Sequence, residues 1–245
     1  MKKICHKAKF PVIMTGISLL LLLGTIVVEV TQMVEPYYPL ILLVFVPLIC
    51  FTILTILRTK EKIGIRVTNS MTAIVLGVWV AASVISLPFM VVDMLTSPPT
   101  TNPSNYEKLL KVSGYPNYEL NSFFPSEIPE GAQNIVLDSS EPFLQGGEIY
   151  ALKYKMDNNT IQNYINVYTK TAIWLGTQKE AEGKENGLEF QSFSWAGYSD
   201  QLPNDFTLYL LRSIKGSDNS WNHGEIGYVA ISKQQKEVIF YAEYW

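Results

Sequence analysis

The stretch that decides the fold is PLILLVFVPLICFTILTIL, residues Pro39–Leu57. It contains no charged residue, and its length matches the roughly 20 apolar residues that a helix needs to cross ~30 Å of hydrocarbon. Similar runs lie on either side of it, at Pro11–Val30 and Met71–Leu95, and their only charges, Glu29 and Asp93, lie near one end of each run. The sequence therefore predicts three transmembrane helices.

Lysine and arginine are distributed unevenly between the loops that flank these runs. Basic residues precede the first run and follow the second, whereas the loop Thr31–Tyr38 contains neither Lys nor Arg. Because short basic loops stay in the cytoplasm, this pattern predicts a multipass protein of the cell membrane with a cytoplasmic N-terminus and everything after the third run extracytoplasmic. The eight basic residues are Lys2, Lys3, Lys7, Lys9, Arg58, Lys60, Lys62 and Arg66.

The centres of the three runs contain no ionisable residue. Ionisable side chains inside a membrane mark transport pathways, so their absence from the centres favours an anchor over a small transporter. Glu29 and Asp93 are expected at the outer boundary, within reach of water. Ala73, Gly77 and Ala81 form a row of small residues that lets another helix approach closely. A helix of the same chain is the plainer occupant, and a partner protein is the alternative.

The remainder of the chain divides into a linker and a soluble domain. Residues 96–106 (TSPPTTNPSNY) are rich in Pro, Thr, Ser and Asn, which predicts an extended linker. Residues 107–245 have the composition of a domain long enough to bury a core. The two cysteines, Cys5 and Cys50, both precede this domain, so disulfides do not stabilise it. We therefore expect a transmembrane region at 1–95, followed by the linker and an extracytoplasmic domain.

In the soluble domain the hydrophobic pattern predicts one main helix and six strands. Apolar residues recur at helical spacing over 157–173 and alternate with polar ones over Gly147–Met156. The order β-β-α-β-β-β-β predicts an α+β domain, in which the helix packs on one face of an antiparallel sheet. The other expected elements are strands at Gln133–Asp138, Leu188–Trp195, Phe206–Ser213, Glu225–Ser232 and Glu237–Tyr244 and a short helix near 105–112.

The sequence contains none of the common catalytic or metal-binding motifs. Its two histidines are His6 and His223, and it lacks G-x-S-x-G, H-E-x-x-H and any pair of closely spaced cysteines. We therefore expect no metal and no cofactor. Carboxylates leave one catalytic alternative open, because eighteen Asp and Glu follow position 100. A hydrolase needs two of them at a fixed separation in a cleft.

Charge and aromatic content favour a binding role. From Thr101 onward, eleven Lys and Arg against eighteen Asp and Glu give a net charge of −7. Such a surface disfavours nucleic acid and anionic polymers and is more compatible with a cationic peptide or protein. Solubility alone explains the acidity equally well. Aromatic side chains in loops and at strand ends can anchor a partner, although burial at the edge of the core is the plainer interpretation. The candidates for ligand or partner binding are Trp195, Tyr198, Trp221 and His223.

Several short motifs follow one another in the segment Phe123–Ile165. F-P-x-x-I-P occurs at Phe124–Pro129, F-L-Q-G-G at Phe143–Gly147, and Tyr154–Lys155 ends a strand before the amphipathic helix. This order resembles that of uncharacterised Gram-positive bacterial multipass membrane proteins with a C-terminal extracytoplasmic α+β domain. The resemblance covers about forty residues. It implies a bacterial surface location and no particular activity.

Together these features predict a membrane-anchored extracytoplasmic protein for binding or assembly, such as a sensor or an accessory subunit. Its partners would be the lipid bilayer and a membrane or surface protein, not nucleic acid. The alternative is an outward-facing hydrolase that uses carboxylates. The surface of the soluble domain discriminates between them. A cleft with two or more convergent carboxylates favours the enzyme, and an aromatic patch without them favours binding.

Overall fold

A computed structural model describes residues 8–95, 99–140, 147–182, 193–215 and 224–245. The chain forms two compact units, Met1–Ser97 and Pro98–Trp245. The first unit contains the apolar helices, and the second contains an antiparallel sheet with its helices. The predicted combination of membrane helices with an α+β domain is confirmed.

The described part of the first unit forms helices α1 (Lys9–Gln32), α2 (Tyr38–Thr59) and α3 (Ile65–Leu95). All three are long and apolar enough to cross a membrane. Helix α1 packs on α2, and α2 packs on α3. Helix α3 begins six residues before the predicted span. In its first turns the Thr68 and Thr72 hydroxyls donate to carbonyls four residues earlier, at 2.9 and 2.8 Å, so these polar side chains are satisfied within the helix.

The prediction that water reaches Glu29 is wrong, because the first unit buries this side chain to 3 % exposure. Its Oε2 accepts a hydrogen bond of 2.7 Å from the backbone N–H of Tyr37, in the loop between α1 and α2. The Tyr37 hydroxyl donates to Asp93 at 2.9 Å, and Asp93 is exposed as expected. One tyrosine thus links the two acidic residues at the same end of the helices.

The row of small residues on α3 receives none of the described helices of the chain. Ala73, Gly77 and Ala81 are all exposed, whereas Thr68 and Thr72 are buried on another side of α3. A Cβ placed on Gly77 would meet no atom of the described chain within 4 Å. The expectation that α1 or α2 would pack on this row is therefore wrong, because the side of α3 with the threonines is the buried one.

The second unit is built on one sheet. Its described strands are β1 (Gln133–Ser140), β2 (Glu148–Lys155), β3 (Trp174–Gly176), β4 (Phe206–Ile214), β5 (Glu225–Ser232) and β6 (Glu237–Tyr244). They are all antiparallel to their neighbours and lie in the order β1-β2-β6-β5-β4-β3. The four-residue turn Lys233–Lys236 joins the two central strands, β5 and β6, as the sequence predicts.

Helices cover one side of this sheet, which we call the helix face. Helix α4 (Tyr106–Val112) precedes the sheet, and α5 (Asn158–Thr171) connects β2 to β3. Asp157 caps α5, since its Oδ1 accepts hydrogen bonds from the N–H groups of the next helical residues at 2.7 and 3.1 Å. The centre of this face is Phe240, whose ring lies 5.6–6.1 Å from four other rings. Those rings are Phe124, Tyr154, Tyr164 and Tyr168.

The opposite side of the sheet, the loop face, is covered by chain from the 193–206 region. Phe193, Ala196 and Leu202 pack there against Tyr228 and Tyr241 of the central strands. Strands β5 and β6 are consequently buried on both faces. A short helix, α6 (Gln178–Glu182), precedes this region.

The predicted strand Leu188–Trp195 is wrong in its described part. Residues 183–192 lie outside the described residues, and Phe193–Ala196 form a 3-10 helix. Phe193 and Ala196 are 0 % and 1 % exposed, because a 3-10 helix places residues three apart on the same side. The sheet instead gains the three-residue edge strand β3, which pairs with β4 directly after α5.

Part of the expected linker is built into the second unit. Thr100 forms an antiparallel bridge with Ser139 of β1, with N–H···O distances of 2.7 and 3.1 Å. Pro103–Asn105 form a 3-10 helix that leads into α4. The chain is therefore anchored to the edge strand β1 from residue 100 onward, and residues 96–98 lie outside the described residues.

Candidate functional site

Two of the four predicted binding residues, Trp221 and His223, lie outside the described residues. The other two, Trp195 and Tyr198, are half-buried against the loop face. The Trp195 ring stacks on Tyr241 with 6.4 Å between the ring centroids. Its Nε1 is buried and has no hydrogen-bond acceptor among the described residues. The structure gives Trp195 a packing role, and its part in binding stays a prediction.

Tyr198 belongs to a polar cluster beside the turn that joins β5 and β6. Its hydroxyl lies 2.6 Å from Oε1 of Glu237 and 2.9 Å from Oε1 of Gln235. Glu237 is 2 % exposed, and the ammonium group of Lys155 lies 3.9 Å from its Oε2. Burial, and then the neighbouring Glu237 carboxylate, raise the pKa of the Tyr198 hydroxyl. Tyr198 therefore remains a neutral donor that satisfies a buried carboxylate.

The same cluster contains a second carboxylate, Asp205. The Gln235 amide lies 3.3 Å from both Asp205 oxygens, and the Ser232 hydroxyl donates to Oδ2. The Gln235 amide and the Tyr198 hydroxyl thus lie between Asp205 and Glu237, where a hydrolase would need space for its substrate. We interpret this cluster as the element that fixes the β5–β6 turn.

An open cleft of about 510 Å³ lies on the helix face, between α5, strand β4 and the segment 119–123. We call it the helix-face cleft. Apolar side chains form much of its lining, and one ion pair lies at its edge. Its lining residues are Glu119, Ser122, Phe123, Val167, Tyr168, Thr171, Leu211 and Arg212.

Local structure explains how one wall of the cleft is positioned. The Tyr168 hydroxyl donates to the carbonyl of Phe123 at 3.0 Å, which ties α5 to the preceding segment. The Phe123 ring lies over Gly227 of β5, where a Cβ would be only 2.7 Å from the ring. Glycine is therefore required at this position for Phe123 to reach the cleft.

The opposite wall depends on an irregularity in β4. The pairing of β4 with β5 shifts between Leu210 and Arg212, which leaves Leu211 as an additional residue. Such a bulge redirects side chains at the edge of a sheet. Consecutive residues Leu211 and Arg212 accordingly both line the cleft, although neighbours in a regular strand point to opposite faces.

Charge at the cleft centres on Arg212. Its Nη1 lies 2.7 Å from Oε2 of Glu119, and its Nε donates to Glu225. The Arg212 side chain is 21 % exposed, whereas that of Glu119 is 77 % exposed. Two carboxylates thus share one guanidinium group, and the group of three carries a net negative charge. Glu119 is the one carboxylate among the lining residues, and it is already paired.

Exposed apolar side chains of the second unit concentrate around the cleft. In its described part, four large apolar side chains are highly exposed, and all belong to α5, β3 or β4 or directly precede β3. Val167 lines the cleft. The backbone N–H of Ile173 donates to the carbonyl of Leu210 at 2.8 Å, and Ile214 lies two residues from Arg212. The four are Val167 at 52 %, Ile173 at 64 %, Leu175 at 50 % and Ile214 at 44 %.

Sequence reasoning missed the helix-face cleft. Two signals were present, namely Arg212 inside an otherwise apolar strand and Val167 outside the apolar stripe of α5. Neither indicates a cleft without the positions of Phe123 and Glu119, which lie in a segment without a clear pattern. Comparison with protein-family models, curated proteins and solved structures finds no match to this chain. Function must therefore be argued from the site.

Proposed function

We propose that this protein is a membrane-anchored extracytoplasmic binding protein, and that the helix-face cleft holds part of a protein partner. One observation carries the proposal: exposed apolar side chains lie in the cleft and on the elements that form it, and the one carboxylate among its described lining residues is paired with Arg212. Clusters of exposed apolar side chains on a soluble domain mark interaction sites. A sensor and an accessory subunit both need such a partner-binding surface.

The geometry of the cleft supports binding over hydrolysis. Glycosidase-type hydrolysis requires two carboxylates on either side of the bond to be cleaved. Glu119 and Glu225 instead both bind one cation, Arg212, through its Nη1 and Nε atoms. The hydrolase alternative therefore has no supporting pair at this cleft.

The location is part of the same proposal. Eight basic residues flank one end of the helices, and the α1–α2 loop has none, which supports a cytoplasmic N-terminus and an extracytoplasmic sheet unit. The resemblance of Phe123–Ile165 to proteins of Gram-positive bacteria, together with a second unit without cysteines, supports a bacterial cell surface.

The test is site-specific photo-crosslinking in cells that make the full-length protein. A photoreactive amino acid replaces Val167 in one variant and Gln162 in the control. Both positions are exposed on α5, but they lie about 140° apart around the helix, and Gln162 does not line the cleft. We expect a discrete protein adduct from position 167 and none from position 162. Equal adducts from both positions, or none from position 167, would refute a binding role for the cleft.

A further inference from the structure

We infer that the segment bound by the helix-face cleft is an extended peptide with apolar side chains at alternate positions and a basic side chain beside them. This inference rests on the proposed function and adds the chemical class of the partner. Its apolar side chains would lie against Val167 and Leu211, and its basic side chain would pair with Glu119.

Charge favours a basic segment. Arg212 is shared by Glu119 and Glu225, so the three groups together leave one negative charge at the edge of the cleft. Glu119 is 77 % exposed and can therefore accept a second cation without losing its contact with solvent. The chain from Thr101 onward has a net charge of −7, which attracts cationic segments over longer distances.

An anionic ligand fits the same site poorly. It would have to bind Arg212, whose side chain is 21 % exposed and already bonded to two carboxylates. Displacing Glu119 would break a charge-assisted hydrogen bond of 2.7 Å for no net gain in pairing. The carboxylates that remain would also repel the ligand.

The exposed apolar side chains favour an extended conformation of the partner. Ile173 and Leu175 are two residues apart on the edge of the sheet, at and just before β3. Side chains at that spacing point to the same face and lie roughly 7 Å apart. A bound segment that is itself extended presents its side chains at the same interval, whereas a helical segment does not. Apolar side chains at alternate positions would therefore cover this row.

The experiment measures binding of defined peptides to the full-length chain in nanodiscs of zwitterionic phosphatidylcholine. The probe is a fluorescein-labelled octapeptide of alternating Lys and Leu, and its fluorescence anisotropy reports binding. Two peptides of equal length serve as controls, one of alternating Glu and Leu and one of alternating Lys and Ser. Empty nanodiscs measure uptake by lipid alone. We expect the Lys–Leu probe to bind the protein at least tenfold more tightly than either control peptide or empty nanodiscs.

Variants locate the binding in the cleft. Val167→Asn removes an exposed apolar contact and should weaken binding of the probe about tenfold. Glu119→Gln removes one partner of an exposed ion pair and should weaken binding of the probe about threefold. This effect should vanish at high salt. Glu127→Gln removes the same charge at an exposed position outside the cleft and should have no effect. Unchanged unfolding temperatures confirm that the variants fold, since the substituted side chains are exposed.

Several results would overturn the inference. Equal binding of the Glu–Leu peptide would exclude charge selection, and equal binding to empty nanodiscs would make the probe a lipid ligand. If the chain self-associates and Val167→Asn abolishes this self-association, the occupant of the cleft is a second copy of the chain. If position 167 crosslinks to a protein in cells but the Lys–Leu probe does not bind, the partner class is wrong and the proposed function stands. If neither occurs, both are wrong.

Discussion

Replacing Phe240 with alanine should severely destabilise the second unit. Phe240 is 0 % exposed, and its ring lies 5.6–6.1 Å from four aromatic rings that belong to β2, α5 and the segment before β1. Truncation of a buried phenylalanine costs about 3–5 kcal/mol of unfolding free energy. For a unit of roughly 150 residues, the unfolding entropy of ~2.1 cal/mol/K per residue gives about 0.3 kcal/mol/K. The expected decrease in unfolding temperature is therefore roughly 10–15 °C.

The assay is thermal unfolding of the full-length protein in detergent, followed by tryptophan fluorescence. Four of the five tryptophans lie beyond residue 100, so the signal reports mainly on the second unit. Phe240→Leu is the matched control, because it keeps most of the apolar volume and should cost about 1–1.5 kcal/mol, or roughly 3–5 °C. A decrease below about 3 °C for Phe240→Ala would refute the helix-face cluster as the centre of the core.

Three further predictions concern other parts of the chain. Tyr198→Phe removes the hydroxyl beside buried Glu237 and should cost about 1.5–3 kcal/mol, so an unchanged unfolding temperature would contradict the polar cluster. Burial raises the pKa of Asp138 in the folded state, so its contribution to stability is lost as pH rises through that pKa. Asp138→Asn should therefore raise the unfolding temperature at pH 7, with a gain that disappears as pH falls towards the ordinary pKa of aspartate. A gain independent of pH would exclude titration as its cause. Finally, in a background without the native cysteines, a membrane-impermeant maleimide should label Lys236→Cys in intact cells and Lys62→Cys only after permeabilisation, and the reverse pattern would contradict the proposed orientation.

Much of the fold could be predicted from the sequence, because local patterns determine it. Uninterrupted apolar runs of membrane-spanning length identify the three long helices. The polar turn Lys233–Lys236 between two apolar runs identifies the central hairpin, and both of its strands have the predicted bounds. The strand Trp174–Gly176 escaped prediction because three residues are too few to establish an alternation. Phe193–Ala196 were wrongly assigned to a strand. Apolar residues three positions apart fit a 3-10 helix, but over so few residues they also fit a short strand.

The helix-face cleft could not be predicted, because it depends on tertiary contacts. Arg212 and Glu119 are 93 residues apart in the chain, and only the folded sheet unit brings them to 2.7 Å. The bulge that directs Leu211 into the cleft and the glycine that admits Phe123 have no distinctive local pattern. Sequence reasoning selected aromatic residues in loops instead. Of these, Trp195 and Tyr198 form contacts within the loop face, and whether they also bind a partner stays a prediction.

The central claim is that the helix-face cleft and its apolar rim form the partner-binding surface of this protein. The most direct test is a photo-crosslinking scan of the full-length chain in cells, with the photoreactive residue placed in turn at 162, 166, 167, 171, 175 and 214. All six positions are exposed. The adduct yield should be highest at 167, 171, 175 and 214, which lie in the cleft or among the exposed apolar residues. It should fall to background at 162 and 166, which lie on another face of α5. Highest yield at 162 and 166, with background at 167 and 171, would contradict the claim.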